Sequence, residues 1–216
     1  MKNRKNLRYL TQLSVLLALE LILAYTPLGY LRVLPGLEIS FLMIPVTLGA
    51  MLLGPAAGAV LGGAFGLTSF GTCFGSSAFG ATLLAVNPLF TFLTCVPTRI
   101  LAGWLAGLLF RILTRRRATQ ALEPNPAPRP APGYAFGAAA LAGPVLNTLL
   151  FTGALVLFFY HTAFIQGFVT SLGAANPLTF MVLFVGVQGL VEAAVGFAVS
   201  GLLGPAVYAA LRRGRV

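Results

Sequence analysis

The sequence predicts an all-α membrane protein with six transmembrane helices and with both termini in the cytoplasm. Composition is the first observation behind this prediction: of the 216 residues, 58% are hydrophobic and only 8% are charged, whereas an average soluble domain carries about 25% charged residues. Such a chain would expose large apolar patches in water, which excludes an ordinary soluble enzyme. We therefore expect residues 1–216 to form a single integral membrane domain.

Six apolar stretches are the second observation. A bilayer core of about 30 Å requires about 20 apolar residues per helix. The predicted spans are about residues 10–28, 39–53, 56–70, 87–110, 134–160 and 177–211. Gly54–Pro55 and Gly204–Pro205 are expected to mark helix ends. Residues 111–133, which are rich in proline, are expected to form a cytoplasmic loop.

The positions of the basic residues are the third observation. Twelve of them precede span one, lie between spans four and five, or close the chain: Lys2, Arg4, Lys5, Arg8, Arg111, Arg115, Arg116, Arg117, Arg129, Arg212, Arg213 and Arg215. With six spans all twelve fall on one side, which the positive-inside rule identifies as the cytoplasm. The net charge of +10 then faces the anionic inner leaflet, so it does not require a nucleic-acid partner.

Polar side chains inside the predicted spans are the candidates for a functional site, because such groups are rare in lipid and usually face a bundle interior. Asn87 and Arg99 belong to span four and Asn147 to span five, while Gln188 and Glu192 lie four residues apart on one face of span six. Two interpretations remain open. These groups line a polar ligand pocket, or Arg99 and Glu192 pair with each other and Asn147 bonds to a neighbouring backbone.

Two outer connections have the composition of flaps over an outward-facing cavity. Residues 71–86 are uncharged and begin with a glycine-rich loop at 71–81, which contains Gly75 and Ser76, and residues 30–40 contain Arg32. A passive connector is the alternative in each case.

Small residues at intervals of four allow close helix contacts in lipid. Ser14 and Ala18 form such a step on span one, and Gly58, Gly62 and Gly66 form one on span three. The ridge on span three is explained by packing within the chain or by a partner, and an exposed ridge on span one would favour a partner protein.

The sequence contains no visible catalytic machinery. It has no phosphate-binding loop of the G-x-x-x-x-G-K-[ST] form, and His161 is the only histidine. Cys73 and Cys95 have neither a disulfide framework nor a metal-ligand spacing, and we interpret them as apolar fillers. We therefore expect no metal, no cofactor and no enzymatic activity; an intramembrane enzyme with Glu192 as acid or base is kept as an alternative.

Residues 35–70, residues 87–108 and the Asn147–Thr148 pair in GPVLNTLLF resemble the substrate-binding S components of energy-coupling factor (ECF) vitamin transporters. The resemblance is greatest to the pantothenate-type branch. The element Pro97-Thr98-Arg99-Ile100 departs from the PRI-like element of that branch by one inserted residue.

The resemblance implies a six-helix protein of the prokaryotic plasma membrane that captures a vitamin from outside. Such proteins release their cargo inward after docking on a membrane coupling subunit that two cytoplasmic ATPases drive. The family's docking motif falls on Ser14 and Ala18. Its ligand region selects Asn87, Arg99, Asn147, Gln188 and Glu192, with Gly75 and Ser76 in the lid.

Pantothenate is the preferred cargo, because its carboxylate suits a cationic anchor such as Arg99 or Arg32. Riboflavin, cobalamin and other micronutrients remain alternatives, as does a self-sufficient facilitator or channel.

Overall fold

The computed structural model describes residues 2–26, 29–34, 37–118 and 131–213. In chain order the elements are α1 (Lys2–Tyr25), β1 (Tyr30–Leu34), β2 (Leu37–Ser40), α2 (Met43–Leu53), α3 (Pro55–Thr72), α4 (Ala78–Val86), α5 (Pro88–Ala118), α6 (Gly133–Phe159), α7 (Ala163–Ser171) and α8 (Pro177–Arg213). The described chain is therefore predominantly helical.

Within the described residues, four helical segments are long and apolar enough to cross a membrane: Asn6–Tyr25, Pro88–Thr114, Gly133–Phe159 and Gly189–Ala210. Met43–Leu53 and Pro177–Gly186 are shorter apolar helices, and α3 is rich in glycine and alanine. Six membrane crossings and cytoplasmic termini stay predictions.

The glycine ridge of α3 packs on α5, and these two helices make the most extensive contact of any pair. Added methyl groups at Gly58 and Gly62 would overlap the α5 backbone at Gly103 and Arg99, and one at Gly66 would lie 2.7 Å from the Cα of Val96. Of the two explanations for this ridge, the structure therefore supports packing within the chain.

Gly54 alone separates α2 from α3. Its φ of +103° and ψ of 178° belong to a region that is essentially restricted to glycine, and Pro55 occupies the first turn of α3, where proline is preorganised for a helix. The break lies where the sequence predicts it. By contrast, α8 continues through Gly204–Pro205 to Arg213, so the helix end predicted there is wrong. Gly204 instead allows close packing, because an added methyl group would lie 2.9 Å from the Phe136 ring.

Three connections differ from the sequence prediction. Residues 30–40 contain an antiparallel hairpin, with Tyr30 opposite Ser40 and Arg32 opposite Glu38. The predicted glycine-rich loop is shorter, because α3 extends to Thr72 and α4 begins at Ala78. Residues 111–118, assigned to the cytoplasmic loop, continue α5, and residues 119–130 lie outside the described part.

A central apolar cluster joins α2, α3 and α5. Its buried members are Leu42, Met43, Val46, Leu61, Phe65 and Ala102, and side chains of α1 and α6 pack against it. Leu42, which follows the hairpin and precedes α2, is fully buried, so the chain enters the bundle at this cluster.

Candidate functional site

Arg99 is a buried cation without a carboxylate partner among the described residues. Its side chain is 7% exposed, and its guanidinium carbon lies 4.6 Å from the ring centre of Phe65 and 4.9 Å from that of Phe151. Nη1 donates a hydrogen bond to the Cys95 carbonyl at 2.8 Å. Nε is buried and has no partner. Stacking and one carbonyl group therefore hold the cation, and the buried Nε donor remains available.

Asn147 presents the complementary group on the neighbouring helix. It lies four residues before Phe151 on α6, so the two side chains share a helix face. Asn147 is 6% exposed, and its Oδ1 atom is buried without a hydrogen-bond donor. The α5–α6 contact thus contains an unused donor from Arg99 and an unused acceptor from Asn147.

Glu192 is brought to the same region by the contact between α6 and α8. A methyl group added at Gly189 would lie 3.1 Å from Cγ2 of Thr148, and Glu192 follows Gly189 by less than one helical turn. Glu192 is 5% exposed. Its Oε1 accepts a hydrogen bond of 2.7 Å from the Ser40 backbone N–H, which ties α8 to the base of the hairpin.

Arg99, Asn147 and Glu192, hereafter the polar layer, come from three helices and are all buried in the bundle. The ion pair between Arg99 and Glu192 that the sequence leaves open is not formed, since the described contacts of the guanidinium are two rings and a carbonyl. The polar layer therefore combines a cation, an amide and a carboxyl group without neutralising the cation internally.

An apolar cluster that is rich in aromatic side chains joins α4, α5, α6, α7 and α8. The ring centre of Phe79 on α4 lies 5.4 Å from that of Phe164 on α7 and 5.7 Å from that of Phe184 on α8. Phe184 precedes Glu192 by eight residues, or about 12 Å along the helix. We call this cluster the aromatic cap, and it lies about two turns above the polar layer.

A family model described as "ECF transporter, substrate-specific component" matches residues 8–203. The chain belongs to this family. It is a membrane-embedded, multi-pass transport protein that binds the substrate of a vitamin or micronutrient transporter and works with the membrane module of that system. A comparison with curated proteins gave no significant match.

The other predicted ligand residues of this S component have varied surroundings. Asn87 caps α5, because its Oδ1 accepts a hydrogen bond of 3.1 Å from the Phe90 N–H. Gly75 and Ser76 are exposed in the short link between α3 and α4, where Gly75 has a φ of +148°. The side chains of Arg32 and Gln188 lie outside the described residues.

The predicted docking residues of the S component lie on an exposed face. Ser14 and Ala18 are exposed on α1, as are the neighbouring Val15 and Ile22. Unlike the glycine ridge of α3, this small-residue step is not covered by any helix that the structure describes.

Glu20 is a buried polar residue that the sequence analysis missed. Its side chain is 0% exposed, and neither carboxyl oxygen has a hydrogen-bond partner. A signal was available, because Glu20 is the only charged residue within the predicted span 10–28, and ionisable residues inside spans are functional candidates by default.

Proposed function

We propose that this S component captures pantothenate from outside the cell at the polar layer and delivers it inward. A coupling subunit of the membrane, driven by two cytoplasmic ATPases, supplies the energy. The observation that carries the proposal is the buried Arg99 guanidinium, whose Nε has no partner and which no described carboxylate neutralises.

Pantothenate has a carboxylate, an amide and two hydroxyl groups. Its carboxylate would accept a charge-assisted hydrogen bond from Arg99, which is about twice as strong as a neutral one. A hydroxyl or amide N–H would donate to Asn147 Oδ1, which is otherwise left unsatisfied in the bundle. One pantothenate molecule would therefore provide hydrogen-bond partners for both the Arg99 guanidinium and Asn147 Oδ1.

The remaining predicted ligand residues would act around this centre. Glu192 would hold the hairpin base in place through Ser40, while Arg32 and Gln188 would add polar contacts to the vitamin. Asn87, Gly75 and Ser76 belong to the elements that border the aromatic cap, so we assign them to the entry path.

Docking would use the exposed small-residue step of α1. Ser14 and Ala18 would let a helix of the coupling subunit approach closely, as small residues do at helix contacts in lipid. Six crossings by α1, α2, α3, α5, α6 and α8 would place both termini, and the basic ends of α5 and α8, in the cytoplasm.

Binding to the purified protein in lipid nanodiscs tests the proposal. Radiolabelled pantothenate, riboflavin and cobalamin should be compared on the wild type, on Arg99→Met and on the matched control Arg111→Met, which changes an exposed arginine of the same helix. We expect pantothenate binding that Arg99→Met weakens by about 30- to 150-fold, corresponding to a charge-assisted hydrogen bond of about 2–3 kcal/mol, and that Arg111→Met leaves unchanged. Binding of another vitamin alone would refute the assignment of the cargo, and no vitamin binding would refute the site.

Docking and energy coupling need a separate test. Ala18→Trp should abolish co-purification with the coupling subunit while vitamin binding persists, whereas Leu202→Trp, at a side chain that is 77% exposed on α8, should retain both. Vitamin flux in liposomes that lack the ATPase module would instead favour the self-sufficient facilitator.

A further inference from the structure

Glu20 lies on the face of α1 that packs into the bundle in the described structure. Leu16, Leu17, Leu23 and Ala24 occupy this face and contact the central apolar cluster. Glu20 is fully buried among them, and its Oε1 and Oε2 atoms both lack a hydrogen-bond partner among the described residues. The carboxyl group is therefore enclosed by side chains that offer it no polar contact.

Of the described helices, the two that pack extensively against α1 provide no counter-charge. α1 contacts α2 and α3, and neither contains Asp, Glu, Lys, Arg or His. On α1 itself the described titratable or charged side chains are Arg8, Tyr9 and Tyr25. Arg8 is twelve residues away, or about 18 Å along the axis, and both tyrosines lie at least a full turn from Glu20.

Three of the four hydroxyl groups of α2 and α3 donate to backbone carbonyl groups of their own helix. Thr47 donates to the Met43 carbonyl at 2.7 Å, Thr68 to the Phe65 carbonyl at 2.9 Å, and Thr72 to the Ser69 carbonyl at 2.7 Å. Neither carboxyl oxygen of Glu20 has a hydrogen-bond partner among the described residues. No hydroxyl group of α2 or α3 therefore bonds to Glu20.

An ionised carboxylate in this position would be an unpaired charge in an apolar contact, which is strongly unfavourable. A metal cation would require several oxygen ligands, and the described residues contain no group of three His, Cys, Asp or Glu side chains that could hold one. A proton needs only the carboxyl group itself.

We propose that Glu20 is a proton-binding site of the S component, which carries the carboxyl group as a neutral acid between α1 and the α2–α3 pair. Removal of this proton would leave an uncompensated charge in the contact and would push α1 away from the bundle. Proton binding and the seating of α1 are thereby linked, whichever substrate the polar layer binds.

Infrared spectroscopy of the purified protein in nanodiscs detects the site, because a protonated carboxylic acid has a carbonyl stretching band that a carboxylate lacks. We expect this band at neutral pH in the wild type, its loss in Glu20→Gln and in Glu20→Met, and its retention in the matched control Glu192→Gln. Both Glu20 variants should unfold within about 4 °C of the wild type, since each keeps a neutral side chain of similar size.

Three results would overturn the proposal. The first is a wild-type protein without the acid band, and the second is a band that persists in both Glu20 variants. The third is a sodium-dependent rise in melting temperature that the wild type shows and the Glu20 variants lose, because it would identify a metal cation as the ligand of an ionised carboxylate. None of these readouts depends on vitamin binding, so the proposal and the proposed function can fail separately.

Discussion

The contact between α3 and α5 leaves no room for a side chain at Gly66. A methyl group added there would lie 2.7 Å from Val96 Cα and 2.9 Å from the Cys95 carbonyl oxygen. Both are backbone atoms, so they cannot rotate away. The same Cys95 carbonyl accepts the Nη1 hydrogen bond of Arg99. Gly66→Ala therefore perturbs the helix contact and the polar layer together.

The loss of unfolding free energy that Gly66→Ala causes follows from a comparison with Gly63→Ala on the same helix. An ordinary contact needs at least about 3.4 Å, so 3.4 − 2.7 gives a required shift of about 0.7 Å at Gly66. A methyl group at Gly63 would lie 3.5 Å from Ile100 Cγ1, which is an ordinary contact. Both changes gain about 1 kcal/mol of helix propensity, and this gain cancels in the comparison. The remaining difference is the overpacking cost of about 1–3 kcal/mol.

Equilibrium unfolding of the two variants in the same detergent measures this difference, and circular dichroism checks that both are folded. We expect Gly66→Ala to be less stable than Gly63→Ala by about 1–3 kcal/mol and to bind pantothenate more weakly than the wild type. Equal stability of the two variants would show that the backbones of α3 and α5 do not approach as closely as the structure indicates, and the reasoning would fail.

Four further changes test other parts of the fold. Gly54→Ala should lower the free energy of unfolding by about 1–3 kcal/mol, because its backbone conformation is restricted to glycine. Gly71→Ala, which has open space around it, should not lower it. Equal melting temperatures of the two variants would contradict this. Glu192→Ala removes the acceptor of the Ser40 N–H, so it should weaken vitamin binding and speed amide hydrogen exchange at the hairpin. Glu192→Gln keeps an acceptor and should retain slow exchange. Phe79→Ala should lower stability by about 2–4 kcal/mol through loss of aromatic contacts, as measured by thermal unfolding, and an unchanged melting temperature would argue against the aromatic cap. Asn87→Ala should lower the free energy of unfolding by about 1 kcal/mol, because it removes a helix cap. Asn87→Asp keeps a capping oxygen and should retain the wild-type stability. A larger effect on vitamin binding than on stability would instead favour a ligand contact.

Several features of the fold were readable from residue types alone. Gly54–Pro55 ends one helix and starts the next, because glycine permits a backbone conformation that other residues avoid and proline fixes φ, whatever surrounds them. The predicted spans coincide closely with α6 and with most of α5 and α8, since long apolar runs with few charges encode helices locally. The small-residue spacing of α3 predicted close packing, although it did not identify the partner helix.

Only the tertiary structure decided which groups meet. The sequence left open whether Arg99 pairs with Glu192, and the structure places Arg99 against Phe65 and Phe151 instead. Those rings come from α3 and α6, so no local pattern contains the contact. The hairpin and α4 were missed because short elements gain most of their stability from the surfaces they pack on.

Glu20 and Pro205 show the same division between local and tertiary information. The sequence established that Glu20 is an acid within an apolar run, but its lack of a partner follows from what α2 and α3 place around it. The sequence marked Pro205 as a helix breaker, yet α8 continues, because neighbouring helices can compensate a missing backbone hydrogen bond in a bundle. Composition and local backbone preference therefore determined the helices and the lipid environment, whereas packing between distant segments determined the partners of each buried polar group.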